Sequence, residues 1–148
     1  MENTITWLLI ADASKARIFS LHKARFIQDQ KPDNLHLIGE YSHNQSRQKG
    51  SDLVTDRMGM YGSGNFSEST PPKVHEAEVF AHQLMEHLDN GRKDGVYRDL
   101  ILIAPPAFMG ILHKSMPHGI QKLVSQNIEK DYTQSQGHEL ARNLISHF

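Results

Sequence analysis

The chain has no cysteine and no long hydrophobic run. Without thiols it can form no disulfide, no thiolate nucleophile and no cysteine-ligated zinc site. The longest apolar runs, Trp7–Ala11 and Leu100–Ala104, fall far short of the roughly 20 residues that a membrane-spanning helix needs. These absences exclude thiol chemistry and predict a protein without a membrane-spanning helix.

A dominant charge is also missing, since the formal net charge is -1. No global basic field therefore draws the chain toward nucleic acid, and any such binding needs a local patch. Near the amino terminus Glu2 is present and a basic run is not, so we expect no secretory signal and a cytoplasmic location.

Catalytic motifs are absent as well. The sequence contains no G-x-x-x-x-G-K phosphate loop, no G-x-G-x-x-G after a strand and no G-x-S-x-G nucleophile elbow. His75-Glu76 begins a zinc-protease pattern, but Val79 stands where the second histidine is required. We therefore expect no metal, no cofactor and no catalytic residues.

Leu100–Ala104 is the run around which we expect the fold to be organised. Its unbroken apolar character predicts a central strand buried on both faces. Pro105 stops that strand, and Pro106 suits the first turn of a helix. Ligands often bind at the carboxyl ends of such strands. His113, Lys114 and His118 follow this strand, so they mark a possible site, although hydrogen bonds to turn carbonyls are the alternative.

The first forty residues predict an antiparallel meander. Ile5–Ala11 and Ala16–Leu21 form a hairpin around Asp12, whose carboxylate we expect to bond its own turn. After the polar residues 28–34, Leu35–Tyr41 is a third strand at or near the edge of the sheet.

Lys73–Asn90 is the strongest helix prediction, because six apolar residues repeat at i, i+3, i+4 spacing: Ala77, Phe80, Ala81, Leu84, Met85 and Leu88. Gly91 is predicted to end this helix. The opposite face aligns two histidines and two glutamates, which we interpret as a solvated surface and not a metal site: His75, Glu78, His82 and Glu86.

The remaining chain predicts further helices and one strand. Pro106–Met116 is helical with an interruption at Gly110, and His118–Gln126 is a second helix. Asn127–Tyr132 is a polar edge strand, and Thr133–Gln136 has the form of a capping box before the last helix. The whole chain, residues 1–148, is thus predicted to be one α/β domain with a mixed sheet, a meander followed by βα units.

Residues 42–72 form a long glycine-rich segment with few large apolar residues. Such long loops are usually functional or disordered. The segment therefore either inserts into a partner or is a mobile linker without a binding function. The candidate nucleic-acid-binding residues here are Arg47, Lys49, Arg57, Gly62, Gly64, Asn65 and Lys73.

Several motifs resemble the bacterial family named host attachment protein, or protein required for attachment to host cells. They are Trp7–Asp12 with Ala16–Phe19, His75–Ala77 with Phe80, Ala81 and Leu84, Leu102–Pro106 with Phe108–Gly110, and Ile128–Thr133. The resemblance covers nearly the whole chain. That family is similar in layout to the middle domain of archaeal and eukaryotic peptide-chain release factors, which has a ribonuclease-H-like α/β fold.

In release factors a Gly-Gly-Gln loop between the third strand and the long helix enters the ribosome and positions a water molecule. This chain has its glycine-rich segment at the same point but lacks Gly-Gly-Gln, and Gly62–Asn65 is the nearest candidate. The resemblance therefore implies a ribosome or RNA partner without implying peptidyl-tRNA hydrolysis.

Three hypotheses remain open from the sequence. The first is a non-enzymatic cytoplasmic module that contacts ribosome or structured RNA through residues 42–72. The second is a host-cell attachment or interaction factor, acting directly or indirectly on a host-cell factor. The third is a hydrolase of unknown substrate that uses the loop or His113 and His118. A homo-oligomer is compatible with each of them.

Overall fold

The computed structural model describes residues 4–43 and 72–148. Within these residues one five-stranded sheet is flanked by helices. The elements in chain order are β1 (Thr6–Ala11), β2 (Lys15–Leu21), α1 (Lys23–Asp29), a 3-10 turn (Pro32–Asn34), β3 (His36–Ser42), α2 (Pro72–Lys93), β4 (Asp99–Ile103), α3 (Pro106–Lys114), α4 (His118–Gln121), β5 (Val124–Ile128) and α5 (Gly137–Ile145).

The strands lie in the order β3-β2-β1-β4-β5. β2 pairs antiparallel with both β1 and β3, whereas β4 pairs parallel with β1 and with β5. The predicted antiparallel meander, the central strand and the α/β class are therefore confirmed. β3 and β5 occupy the two edges, as predicted for both.

Alternate residues of β1 divide the core into two layers. Trp7 and Leu9 point to the first face of the sheet, which α2, α3 and α4 cover, and Leu8 and Ile10 point to the second face, which α1 and α5 cover. Residues Leu100–Ile103 of β4 are inaccessible to solvent, because both faces of this strand are covered. This arrangement explains why the run reads as continuously apolar in the sequence.

The prediction that Gly91 ends the long helix is wrong, since α2 continues to Lys93. Gly91 lies inside the helix, where an added Cβ would be 2.5 Å from the Trp7 ring. The helix is closed by Gly95, whose φ of 69° lies in the left-handed region. Its N–H donates to Arg92 O, and the N–H of Val96 donates to Gly91 O, which is the pattern of a Schellman cap.

Three predictions in the second half are also corrected. α3 runs without interruption through Gly110, which is exposed and has open space around it. Residues 124–126, predicted as helix, begin β5, and residues 129–132, predicted as strand, lie beyond its end. The periodicity of a short apolar run does not distinguish a helix from a strand. Residues 124–126 form a strand because Val124 pairs with Leu100 of β4.

The capping box predicted at Thr133–Gln136 does not form. α5 begins at Gly137, and its N-cap Gln136 makes no side-chain capping bond. α1 was not predicted, because its sequence carries one buried residue, Phe26, and no apolar stripe. Of the predicted segment 42–72, Ser42 belongs to β3 and Pro72 is the first residue of α2, while residues 44–71 lie outside the described residues.

Candidate functional site

The carboxyl ends of β1, β3, β4 and β5 lie along the same boundary of the sheet, which we call the carboxyl edge. This boundary runs across the ends of the strands and is different from the two edge strands, β3 and β5. β3 runs parallel to β1 because both are antiparallel to β2. α2 follows β3 and α3 follows β4, so both helices begin at this edge. In open α/β sheets this is the position where ligands bind, and it is therefore the first place to look for a site.

Asp12 closes the turn between β1 and β2 at the carboxyl edge. Its Oδ1 accepts hydrogen bonds from the backbone N–H groups of Ser14 and Lys15, each at 2.8 Å. The predicted turn role is therefore confirmed. The other oxygen, Oδ2, accepts a longer bond of 3.3 Å from the Thr133 hydroxyl, so Asp12 also ties the β1–β2 turn to the segment that follows β5.

His43 connects the end of β3 with the start of α2. Its backbone N–H donates to Ser14 O at 2.8 Å, and its Nε2 lies 2.7 Å from Glu76 Oε1. The side chain is only 5% exposed, and its ring lies 5.6 Å from the ring of Phe80. Residues 43 and 76, which flank residues 44–71, are thereby fixed to one another at the carboxyl edge.

Arg17 holds the segment between β5 and α5. Its Nη2 donates to three backbone carbonyl oxygens, those of Tyr132, Thr133 and Ser135, at 2.9, 3.1 and 2.9 Å. Burial lowers the pKa of Arg17, and the nearby Glu40 carboxylate opposes that effect. Arginine stays protonated in proteins. The guanidinium of Arg17 is therefore a fixed positive charge beside the segment that joins β5 to α5.

Thr133 is the junction of the polar network. Its hydroxyl lies 2.6 Å from Asp131 Oδ1 as well as near Asp12, and its backbone N–H donates to the same Asp131 oxygen at 3.1 Å. Among residues 4–43 and 72–148, no three His, Asp or Glu side chains are grouped so that they could hold a metal ion.

The structure separates the residues that the sequence analysis proposed for a site. Lys73 is exposed in the first turn of α2, at the carboxyl edge. His113 and Lys114 are exposed in the last turn of α3, at the opposite end of that helix from the edge. His118 is exposed at the start of α4. His113 Nε2 lies 2.9 Å from Asn127 Oδ1 on β5, in place of the turn carbonyl that was expected.

The other nucleic-acid-binding candidates all fall outside the part of the chain that the structure describes: Arg47, Lys49, Arg57, Gly62, Gly64 and Asn65. Their role stays a prediction. Their connection to the fold is nevertheless defined, because the residues that flank them are held by the His43–Glu76 contact.

A family model described as protein required for attachment to host cells matches residues 7–144. The chain belongs to the host attachment family. The match confirms the resemblance seen in the sequence and covers all five strands from β1 to β5 except the first residue of β1. No curated protein sequence matches the chain.

Solved structures also resemble this member of the host attachment family. One, described as an archaeal protein, is 14% identical with a TM-score of 0.51, and the match covers 95% of this chain and 33% of that one. Another, the archaeal translation termination factor aRF1, is 11% identical with a TM-score of 0.49, and the match covers 97% of this chain and 38% of that one. The chain thus spans about a third of the length of these structures. The first match shows a shared fold.

Arg17 and His43 are the two residues at the edge that the sequence analysis did not single out. Arg17 had a detectable signal, since it lies at i−2 and i−4 from Phe19 and Leu21 and so occupies a core-facing position of β2. A charged residue at such a position requires buried partners. His43 had no comparable signal, because its partner Glu76 is 33 residues away in the chain.

Proposed function

We propose that this member of the host attachment family is a non-enzymatic binding module that contacts ribosome or structured RNA through residues 42–72. One observation carries the proposal. His43 Nε2 and Glu76 Oε1 are 2.7 Å apart, so a segment of nearly thirty residues starts and ends at one point of the carboxyl edge. That is the place in an α/β sheet where a partner is most often bound.

The composition of the segment supports RNA as the partner. It contains Arg47, Lys49 and Arg57, and Lys73 is exposed where α2 begins. Lysine and arginine bind nucleic acid by neutralising phosphates and releasing counterions. Gly62, Gly64 and Asn65 add positions where the backbone and a carboxamide can approach a nucleotide. The similarity of the family to release factors in layout points to the same class of partner.

Acidic residues on the same segment limit the expected affinity. Asp52, Asp56 and Glu68 offset much of the positive charge. We therefore expect binding that is moderate and dependent on salt, with a slope that reflects only a few phosphate contacts.

Co-sedimentation tests the proposal most directly. A tagged full-length chain is expected to migrate with ribosomal particles on a sucrose gradient at low salt, and a variant lacking residues 50–66 is expected to stay at the top. If both remain at the top, or both co-sediment, residues 42–72 have no role in ribosome binding. Circular dichroism of the deletion variant shows whether its fold is retained.

Charge-removing variants refine the test. Arg57→Ala and Lys49→Ala should each weaken binding and lower the salt slope by about one unit, as expected for the loss of a phosphate contact. Lys122→Ala is the matched control, because Lys122 is an exposed lysine of the α4–β5 turn. Equal losses in all three variants would indicate non-specific attraction to polyanions.

Attachment to host cells is a second candidate function, favoured by the description of the family model. Within the described residues, no helix is both long and apolar enough to cross a membrane. Adding purified protein to a bacterial strain that lacks the gene separates the two forms of this hypothesis. Restored attachment supports a direct role, whereas restoration only by expression inside the cell supports an indirect one.

A further inference from the structure

A cavity of about 720 Å³ opens beside the second face of the sheet, and its lining reaches Ser42, the residue before His43. Its floor is the half of β2 and β3 that α5 leaves uncovered. Its walls are the 3-10 turn on one side and the start of α5 on the other, represented by Pro32, Leu35 and Gln136. Cavities of this volume are the size that small-molecule ligands occupy.

Positive charge is concentrated on one side of this cavity. Lys15 and Arg17 are two residues apart on β2, so both side chains point to the same face of the sheet. Within residues 4–43 and 72–148, Lys15 forms no ion pair. Two cations line this wall, and among the described residues of the lining the one carboxylate is Glu40 of β3, which lies opposite Arg17 in the strand pairing.

Arg17 is oriented before any ligand arrives. Three backbone carbonyls hold its Nη2 in place. The described residues accept no hydrogen bond from Nη1 or Nε of Arg17. Neither nitrogen is fully buried, so both are accessible to solvent. A guanidinium fixed on one side with free N–H groups on the other is suited to an anionic oxygen, since charge-assisted bonds of this kind are the strong ones.

The remaining residues of the lining indicate which organic group the anionic ligand carries. Leu37 is 51% exposed and, with Pro32 and Leu35, gives an apolar wall on which a ring could pack. Glu40 accepts hydrogen bonds and donates none when ionised, so it favours a ligand with hydroxyl or amino donors. A simple fatty acid offers Glu40 no donor, whereas a sugar and a base offer several.

We propose that this cavity binds a nucleoside monophosphate or a closely similar phosphate ester, with the phosphate at Lys15 and Arg17 and the organic part against Pro32, Leu35 and Leu37. Every residue named here belongs to the described part of the chain. Co-sedimentation of the variant lacking residues 50–66 and nucleotide titration of the full chain therefore test the two proposals separately.

Titration of the full chain with adenosine, guanosine, cytidine and uridine 5′-monophosphates tests the proposal, with adenosine and inorganic phosphate as partial ligands. At least one nucleotide should bind at submillimolar concentration and shift the backbone NMR signals of residues 15–17 and 133–137. Each partial ligand should bind at least tenfold more weakly. No binding by any nucleotide overturns the proposal, as does equal binding by inorganic phosphate, which would indicate an adventitious ion only.

Three variants locate the site. Lys15→Gln should weaken nucleotide binding about tenfold, which corresponds to about 1.4 kcal/mol. Leu37→Asp should abolish measurable binding because it replaces the apolar surface against which the organic part packs with a charged, hydrated side chain. Both positions are partly or largely exposed, so the fold should be retained. Lys122→Gln is the control, and an equal loss in that variant shows that binding is not at this cavity.

Discussion

The two faces of the sheet are stabilised in different ways. Among residues 4–43 and 72–148, nineteen buried hydrophobic residues form one cluster on the first face, and α2 alone supplies six of them: Ala77, Phe80, Ala81, Leu84, Met85 and Leu88. On the second face the corresponding cluster has eleven, contributed by strands and by the short helices α1 and α5. The second face therefore gains less from apolar burial, and polar contacts hold its segments in place.

The difference shows where function can be accommodated. The first face is closed, because one long amphipathic helix covers it along its length. The second face is closed only in part, and the Arg17 contacts to the carbonyls of Tyr132, Thr133 and Ser135 replace side-chain packing there. A face held by hydrogen bonds around a charged residue can leave a cavity open beside it.

The largest effect should come from truncating the long helix. Leu84→Ala removes a fully buried side chain from the first face and is expected to lower the free energy of unfolding by about 2–5 kcal/mol. Leu144→Ala removes an equally buried leucine from α5, close to the carboxyl terminus. The loss there should lie at the lower end of that range, because α5 is much shorter than α2 and can shift more readily into the space. Urea denaturation measures both, and a larger loss for Leu144→Ala would contradict the comparison.

Two of the helical glycines, Gly91 and Gly110, give a test of packing on the first face. Gly91→Ala should destabilise the protein by about 1–3 kcal/mol, because the new Cβ meets Trp7 at 2.5 Å. Gly110→Ala should stabilise it by about 0.5–1 kcal/mol, because alanine is the better helix former and its Cβ would meet no atom within 4 Å outside its neighbours and the backbone of its own helix. Thermal unfolding of the pair shows whether the close approach at Gly91 is required. Stabilisation by both substitutions would show that it is not.

The sequence analysis was most successful on the first face, and the reason is periodicity. The α2 stripe and the apolar run at Leu100–Ala104 each repeat one physical pattern long enough to specify the element type. Gly91 shows the limit of this reasoning. As a single residue it fits a helix end, and only its contact with Trp7, more than eighty residues earlier, explains why it lies inside the helix.

Prediction failed on the second face because the decisive interactions are between distant residues. Thr133 has the sequence context of an N-cap, but Asp12 and Asp131 bind its hydroxyl instead. α1 has a single buried residue, Phe26, and therefore no periodic signal. The end of the central strand was predicted correctly from its prolines, and the alternation of β2 puts Arg17 at a core-facing position. The His43–Glu76 contact and the three carbonyl partners of Arg17 join residues far apart in the chain, so no local pattern contains them.

Arg17→Met tests whether the second face depends on the hydrogen bonds that replace packing. Methionine keeps an aliphatic chain near Phe19, over whose ring the guanidinium lies at 5.4 Å, but it donates nothing to the three carbonyls. We expect a loss of about 1–2 kcal/mol in the free energy of unfolding, since water can take over part of the bonding. Faster amide hydrogen exchange in residues 132–136 should accompany it. Lys15→Met, which removes no such bond, should change stability by less than about 0.5 kcal/mol.

The smallest effect concerns the buried phenol of Tyr97 on the first face. Tyr97 stacks on Trp7 with ring centroids 4.5 Å apart, and its hydroxyl donates to Leu88 O at 2.7 Å. Burial, reinforced by the Asp89 carboxylate, raises the pKa of Tyr97 to about 12. At neutral pH, Tyr97→Phe should lower the free energy of unfolding by only about 0.5–1.5 kcal/mol, the usual net value of one hydrogen bond.

The pH dependence gives this variant its diagnostic value. An unfolded tyrosine ionises near pH 10, so between pH 10 and the folded pKa of about 12 the unfolded state loses its proton first. Wild-type stability should therefore fall in that window by up to about 1.4 kcal/mol per pH unit from this group. Tyr97→Phe lacks this contribution, so the difference between the two proteins should narrow above pH 10 and then reverse. Urea denaturation at pH 7, 10 and 11.5 measures the difference in unfolding free energy between the two proteins. A difference that stays constant would mean that solvent reaches the phenol and that the first face is not closed around Tyr97.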